Sequence, residues 1–234
     1  MGNDTLNNIA IITARGGSKR IPKKNIKLFC NKPIIAYSIE AALKSQLFEE
    51  VMVSTDDDEI KEIAIQYGAK VPFIRSETNS NDFATTSDVL KEVLLQYQQI
   101  NMNFENACCI YPTAPFVDEN ILIKAFNILK EIDIDSVLPV VPFSFPILRS
   151  FIQDEKDYIK YNWEEYRNIR SQDLPNFYHD AGQFYFFKVE TFLQSGKVIN
   201  EKTKGIQISE LQAQDIDNIT DWKLAEMKFE LLKK

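Results

Sequence analysis

The sequence predicts an α/β fold, a mainly parallel sheet with helices on both faces. Short apolar runs alternate with helically spaced segments from residue 9 to residue 141, the order that builds a parallel sheet covered on both sides. A glycine-bearing basic loop leaves the first apolar run at its carboxyl end, where open α/β sheets bind ligands.

Residues 9–14, Ile9-Ala10-Ile11-Ile12-Thr13-Ala14, end at Gly16-Gly17 and read as a buried strand. Residues 33–44 place Ile34, Ile35, Ser38, Ala41 and Ala42 at helical spacing, and residues 51–54 form the next strand. Asp56, Asp57 and Asp58 open a helix running to about Tyr67, where acidic residues suit the helix dipole, and Gly68 stops it. A strand over 70–74, a polar loop over 76–84 and a helix over 89–99 entered through Ser87-Asp88 follow. Then come a strand over 107–111, a turn at Pro112-Thr113-Ala114-Pro115, a helix over 118–132 and a strand over 136–141. Between 142 and 178 the pattern gives way to aromatics and prolines. This stretch reads as an inserted lobe around residues 142–180 that lines a substrate pocket or makes a subunit contact. Strands over 183–188 and 205–209 precede a final amphipathic helix over 221–232, with Thr220 as its N-cap. No repeat, low-complexity tract or long linker divides the 234 residues, so one domain carrying that lobe is expected.

With 44% hydrophobic and 26% charged residues, the composition is that of a soluble globular protein. No apolar run approaches the roughly 20 residues that span a bilayer. Residues 1–6 lack the basic and apolar regions of a signal peptide, and Leu6 stands where a myristoylation pattern wants Ser or Thr. A cytoplasmic location without a membrane partner is the expectation. Cys30, Cys108 and Cys109 form neither a disulfide framework nor a zinc spacing, and the adjacent pair reads as packed strand residues. A net charge of −7 argues against general nucleic-acid binding. Residues 5–39 nevertheless contain no Asp or Glu while holding Arg15, Lys19, Arg20, Lys23, Lys24, Lys27 and Lys32. Such a cationic segment in an acidic chain points to a focused anion site.

The loop Ala14-Arg15-Gly16-Gly17-Ser18-Lys19-Arg20-Ile21-Pro22-Lys23-Lys24-Asn25 is the most informative segment. Glycines let the backbone approach an anion and aim N–H groups at it. Arg15 offers a two-point grip on phosphate, Lys24 a point charge and Ser18 a small donor. Two glycines among lysines also fit a basic surface turn, but the whole string directly after the first buried strand suits a polyphosphate. It matches neither the Walker A loop nor the three-glycine dinucleotide fingerprint.

The string Arg15-x-Gly17-Ser18-Lys19-Arg20-x-Pro22-x-Lys24-Asn25 resembles the N-terminal signature of the CMP-sialic acid synthetase family. Val53-Ser54-Thr55-Asp56-Asp57, Arg75 with Ala84-Thr85-Thr86-Ser87-Asp88-Val89-Leu90, and Asp215-Ile216-Asp217-x-x-x-Asp221-Trp222 resemble its later motifs. The resemblance covers nearly the whole chain. Where sialic acid enzymes typically read Gln-Pro-Thr-Ser-Pro, this chain reads Tyr111-Pro112-Thr113-Ala114-Pro115. Together with Arg170-Ser171-Gln172-Asp173-Leu174-Pro175 and the stretch from Tyr178 to Tyr185, that string looks closest to the pseudaminic acid branch. The resemblance implies a Rossmann-like nucleotidyltransferase fold, a homodimer, CTP as co-substrate and a nonulosonic acid as acceptor, with pseudaminic acid expected.

Asp215 and Asp217 flank Ile216 in an extended segment, so both carboxylates share one side. Alone, the triplet fits a solvated acidic turn capping a helix better than a metal site. Beside the basic loop and the family resemblance it suits magnesium, which binds few carboxylates and keeps phosphate oxygens and waters. The implied reaction is attack of the sugar's anomeric hydroxyl on the α-phosphorus of CTP. Arg15 then stabilises charge at the α-phosphate and Lys24 holds the departing pyrophosphate. Ala14, Gly17, Ser18, Asn25 and Arg75 complete the nucleotide contacts implied by the resemblance, and Tyr111, Arg170, Gln172, His179 and Gln183 the sugar contacts. His179 is the single histidine, and with Asp180 as its sequence neighbour it gives little support to a nucleophilic relay. Other readings are the same chemistry on sialic or legionaminic acid, use of UTP or GTP, and a non-catalytic anion-binding protein. The last gives Asp215 and Asp217 no role.

Overall fold

The computed structural model describes residues 7–233; residues 1–6, on which the signal-peptide and myristoylation expectations bear, lie outside the described residues. In chain order the elements are β1 (Asn8–Thr13), β2 (Leu28–Phe29), β3 (Lys32–Pro33), α1 (Ile34–Ser45), β4 (Glu50–Ser54), α2 (Asp58–Gln66), α3 (Glu77–Ser80), α4 (Thr86–Gln99), β5 (Asn106–Ile110), α5 (Glu119–Leu129) and β6 (Ser136–Pro142). They continue as β7 (Phe151–Gln153), β8 (Ile159–Tyr161), β9 (Tyr178–Asp180), β10 (Phe184–Lys188), α6 (Val189–Ser195), β11 (Thr203–Gln207) and α7 (Ile219–Leu232).

The main sheet runs β11-β6-β10-β5-β1-β4, with β9 paired to the far end of β6. Strand β1 pairs in parallel with β4 and β5, and β11 in parallel with β6. Strand β10 is antiparallel to both β5 and β6. The α/β, mainly parallel architecture expected from the alternation of elements is therefore present, with β9 and β10 reversed within it.

Alternation along each strand divides the core. Ala10 and Ile12 of β1 face a cluster that includes Ile35 and Ile39 of α1, Ile60 and Ala64 of α2, and Leu122 and Phe126 of α5. Ile9 and Ile11 face the opposite cluster, with Leu90, Val93 and Tyr97 of α4 and Phe192 of α6. Cys108 and Cys109 likewise fall on opposite faces, both fully buried, as packed strand residues. A third cluster joins Ile21 of the basic loop, Phe29, Ile34, Ile216, Trp222 and Ala225. It clamps the first basic segment to the start of α7.

Three local expectations need correction. Residues 70–74 make only two isolated parallel bridges, Met52 to Lys70 and Thr55 to Ile74. Pro72 between them has no N–H to give a ladder, so the edge strand does not form. The loop over 76–84 contains the single-turn helix α3. Helix α7 is capped by Asn218, not Thr220: its side chain accepts from the Thr220 and Asp221 amides, while Asp221 accepts from the Asn218 amide.

Residues 143–180 carry the β7–β8 hairpin and short 3-10 turns. Phe145 (82% exposed), Tyr158 (71%) and Ile159 (63%) leave large apolar side chains on the lobe's surface.

Candidate active site

Strand β1 ends where the site begins. Ala14 is buried and its N–H continues the ladder onto Ser54 O at 3.0 Å. The chain then turns sharply, with Ser18 N donating to Gly16 O at 2.9 Å and Gly16 N donating to Asp56 Oδ1 at 2.9 Å. A Cβ on Gly16 would lie 2.7 Å from Asp57 Oδ2 and 2.9 Å from Asp57 Cβ. Asp57 cannot easily yield, because its carboxylate caps α2 by accepting from Ile60 N at 2.9 Å. Gly16 is thus the glycine that sterics demand, whereas Gly17 has open space where a side chain would begin. The signal for this was the Asp56-Asp57 pair after the second strand, whose contact with the loop is long-range.

Asn25 is buried and donates from Nδ2 to Arg15 O at 2.9 Å, pinning the far end of the loop to its beginning. Arg15 Nη1 meets Asp82 Oδ1 at 2.8 Å and Asn81 O at 2.9 Å, and Lys19 Nζ pairs with the other oxygen of Asp82. Lys19 and Arg15 together hold the Asp82 carboxyl below its usual range. Arg75, buried at the end of the edge segment, donates from Nε to Ser54 Oγ at 3.0 Å and from Nη2 to Ser54 O. Burial pushes its guanidinium below its ordinary value, although Asp56 and Glu92 work the other way.

The basic loop and the acidic triplet meet. Lys24 Nζ donates to Ile216 O at 2.8 Å across 192 residues of sequence, and Arg20 Nη1 pairs with Asp217 Oδ2 at 2.7 Å. Burial pushes the Lys24 ammonium down and Asp217 pulls it back up, with Arg20 adding a further downward push. Ile216 is buried in the third cluster while Asp215 is exposed and Asp217 half-buried, the division that a period-two segment predicts.

Two cavities adjoin this junction. A cleft of about 270 Å³ is lined by Arg15, Ser18, Lys24, Asn25, Arg75 and Tyr111, among others. Tyr111 lines it, its N–H donating to Gln183 O at 2.8 Å and its hydroxyl 3.3 Å from Thr86 Oγ1; burial pushes the phenol up. A second cavity of about 420 Å³ is lined by Phe143, His179, Asp180, Asp215 and Lys228, among others. His179 is exposed there, edge-on to Phe143 with ring centroids 5.0 Å apart, and its Nδ1 is 2.9 Å from Asp180 O. Asp215 lines the second cavity, while Ile216 O and Asp217 hold Lys24 and Arg20 of the first.

Not every expected residue comes to these cavities. Arg170 and Gln172 sit exposed at the 3-10 turn of the lobe, where Arg170 Nε pairs with Asp173 at 2.8 Å, and they line neither cavity. Gln183 is buried, and its Nε2 donates to Gln212 O. Among the described residues no group of three or more His, Cys, Asp or Glu converges into a metal cage. Asp215 and Asp217 provide two carboxylates, the donor set that suits magnesium completed by phosphate oxygens and water. Thr85, within the motif that follows Arg75, lines the cleft, and Asp82, which holds Arg15 and Lys19 of its wall, was not anticipated.

A doubly covered sheet with a cationic loop at the carboxyl end of β1 suits a nucleotidyltransferase. The model of the family described as "Cytidylyltransferase" matches residues 9–217, and the chain belongs to that family. It is 38% identical over 226 residues, 97% of each chain, to a pseudaminic acid cytidylyltransferase of Campylobacter jejuni. It is 33% identical to a CMP-N,N'-diacetyllegionaminic acid synthase of Legionella pneumophila, covering 95% of this chain and 96% of that one. The solved structure of a CMP:2-keto-3-deoxy-manno-octonic acid synthetase complexed with CTP superposes with a TM-score of 0.68 at 16% identity, over 97% of this chain and 98% of that one. At that identity the likeness bears on the fold. No helix among the described residues is long and apolar enough to cross a membrane.

Proposed function

We propose that the enzyme transfers CMP from CTP to a nonulosonic acid, with pseudaminic acid as the acceptor, giving a CMP-sugar and pyrophosphate. The observation that carries this reading is the junction of Lys24 with Ile216 O and Arg20 with Asp217. It sets a polyphosphate-binding loop against a pair of carboxylates, with a second cavity beyond them. The 38% identity to a pseudaminic acid cytidylyltransferase supports the choice of sugar.

The anomeric hydroxyl attacks the α-phosphorus, the bond from that phosphorus to the bridging oxygen breaks, and pyrophosphate leaves. The open space at Gly17 lets the backbone come close to phosphate, and Arg15 holds the α-phosphate as charge builds on it. Lys24, fixed on Ile216 O, meets the departing pyrophosphate. Asn25 acts by holding the Arg15 carbonyl, and Gly16 by letting the loop pack against Asp57. Asp215 and Asp217 would hold magnesium, which supplies charge neutralisation at the phosphates. Tyr111 and His179 contact the acceptor from the cleft and the second cavity. The exposed Phe145, Tyr158 and Ile159 suit burial against a second copy, which supports a homodimer as the working form.

The test is pyrophosphate release with CTP and equal concentrations of pseudaminic, legionaminic and N-acetylneuraminic acids, repeated with UTP, GTP and ATP. Highest catalytic efficiency with CTP and pseudaminic acid is expected. Equal or greater efficiency with N-acetylneuraminic acid refutes the sugar, and equal use of UTP refutes the base.

A further inference from the structure

We infer that Arg20 receives the carboxylate of the acceptor sugar. The inference rests on the cytidylyl-transfer reading and names the residue by which that site selects an α-keto acid. In such an acceptor the anomeric hydroxyl and the carboxylate are carried by the same carbon. A hydroxyl placed for attack on the α-phosphorus therefore brings the carboxylate to the edge of the phosphate site. A carboxylate drawn from water needs a cation or several N–H donors there.

The neighbouring cations already have partners. Arg15 and Lys19 are held by Asp82. Lys24 is fixed on Ile216 O and Arg75 on Ser54. Lys228, on the wall of the second cavity, donates to Glu210 O at 3.0 Å and Ala213 O at 2.8 Å. Arg170 is paired with Asp173 away from both cavities.

Arg20 differs from Arg15 in place and in exposure. It lines the cleft and its Nη1 pairs with Asp217, two residues from the Asp215 that lines the second cavity. It thus stands where the two spaces meet. Among the described residues Asp217 is its ion-pair partner, through one guanidinium nitrogen. A guanidinium has five donors in a planar fork, so an edge remains for two-point contact with a second carboxylate. The side chain is 69% exposed and open to an incoming substrate.

Steady-state kinetics with CTP and pseudaminic acid test this, on wild type, Arg20→Gln, Arg20→Lys and Arg170→Gln, with thermal unfolding as the folding control. Arg20→Gln is expected to raise the KM for the sugar acid roughly thirtyfold or more, the loss typical of a hydrogen bond to a charged group. The KM for CTP should stay within about twofold, since uniform nucleotide binding is untouched. Arg20→Lys, keeping charge but not the fork, should recover part of the loss. An unchanged sugar KM, or a parallel rise in the CTP KM, overturns the assignment. So does a fall in kcat with both KM values unchanged, which would confine Arg20 to orienting Asp217. A comparable loss in Arg170→Gln with none in Arg20→Gln moves the carboxylate to the lobe and also overturns it. If wild type releases no pyrophosphate with any nonulosonic acid, the cytidylyl-transfer reading fails and this inference with it. Wild-type turnover with an unaltered Arg20→Gln profile removes Arg20 alone.

Discussion

Substituting Gly16 and Gly17 one at a time separates packing from ligand approach within a single loop. In Gly16→Ala the new methyl meets Asp57 Oδ2 at 2.7 Å and Asp57 Cβ at 2.9 Å. Either the loop shifts, straining the Gly16 N–H bond to Asp56, or Asp57 shifts and weakens its cap on α2. Overpacking of this kind costs about 1–3 kcal/mol, and loss of a cap alone about 1 kcal/mol. For a chain of this size the Tm should fall by roughly 3–9 °C. Gly17→Ala meets nothing within 4 Å, so its stability should stay within about 0.5 kcal/mol of wild type. The same methyl stands where the backbone approaches phosphate, so the KM for CTP should rise. Thermal and urea unfolding of both variants, followed by CTP kinetics, give the two readouts. A Gly16→Ala protein as stable as wild type, or a Gly17→Ala protein that loses stability but binds CTP normally, would refute the reasoning.

Arg15→Ala and Lys24→Ala should each lower turnover about a hundredfold, near 3 kcal/mol of transition-state stabilisation, with folding intact by circular dichroism; near-normal rates in both would remove the loop from the mechanism. Asp215→Asn and Asp217→Asn should lose magnesium-dependent activity, and excess metal should restore part of it because one carboxylate remains in each. Wild-type turnover that survives a chelator would end the metal assignment. Because burial lowers the Lys24 pKa in the folded protein, its charge is lost as pH rises through a value below the ordinary 10.5. The alkaline limb of kcat/KM for CTP, which reports the free enzyme, should therefore fall below that value and move upward in Lys24→Arg. An identical limb in both proteins would detach it from Lys24. The same depressed pKa means that the unfolded chain binds the extra proton between the two values, so this group's contribution to stability rises with pH across that window.

Much of the fold was readable because local signals agreed with tertiary demand. The run from Ile9 to Ala14 is apolar on both faces because β1 lies between two buried clusters. Asp57 and Asp118 mark helix starts by capping Ile60 and Ile121. The prediction failed at 70–74, where β-forming residues surround Pro72 and the proline decides the outcome, and at α7, where Asn218 outcompetes Thr220 for the cap. In the site, the loop's chemistry was legible in its residue types. Its partners were not, because Lys24 reaches Ile216 and Arg20 reaches Asp217 only once Ile21 and Ile216 are buried in the same cluster. Residues 143–180 stood out in the sequence only by a change in composition. Their 3-10 turns follow no period that would fix where Arg170 and Gln172 point, and the fold leaves both outside the two cavities.

The central claim is that the basic loop and the acidic segment form one centre for cytidylyl transfer to a sugar acid. CTP radiolabelled at the α-phosphate, incubated with wild-type enzyme, magnesium and pseudaminic acid, tests it most directly. The label should pass into a CMP-sugar in step with pyrophosphate release, stay in CTP when the sugar is omitted, and fail to transfer in Lys24→Ala and Asp217→Asn. Label appearing as free CMP without sugar, or transfer undiminished in both variants, would contradict the account.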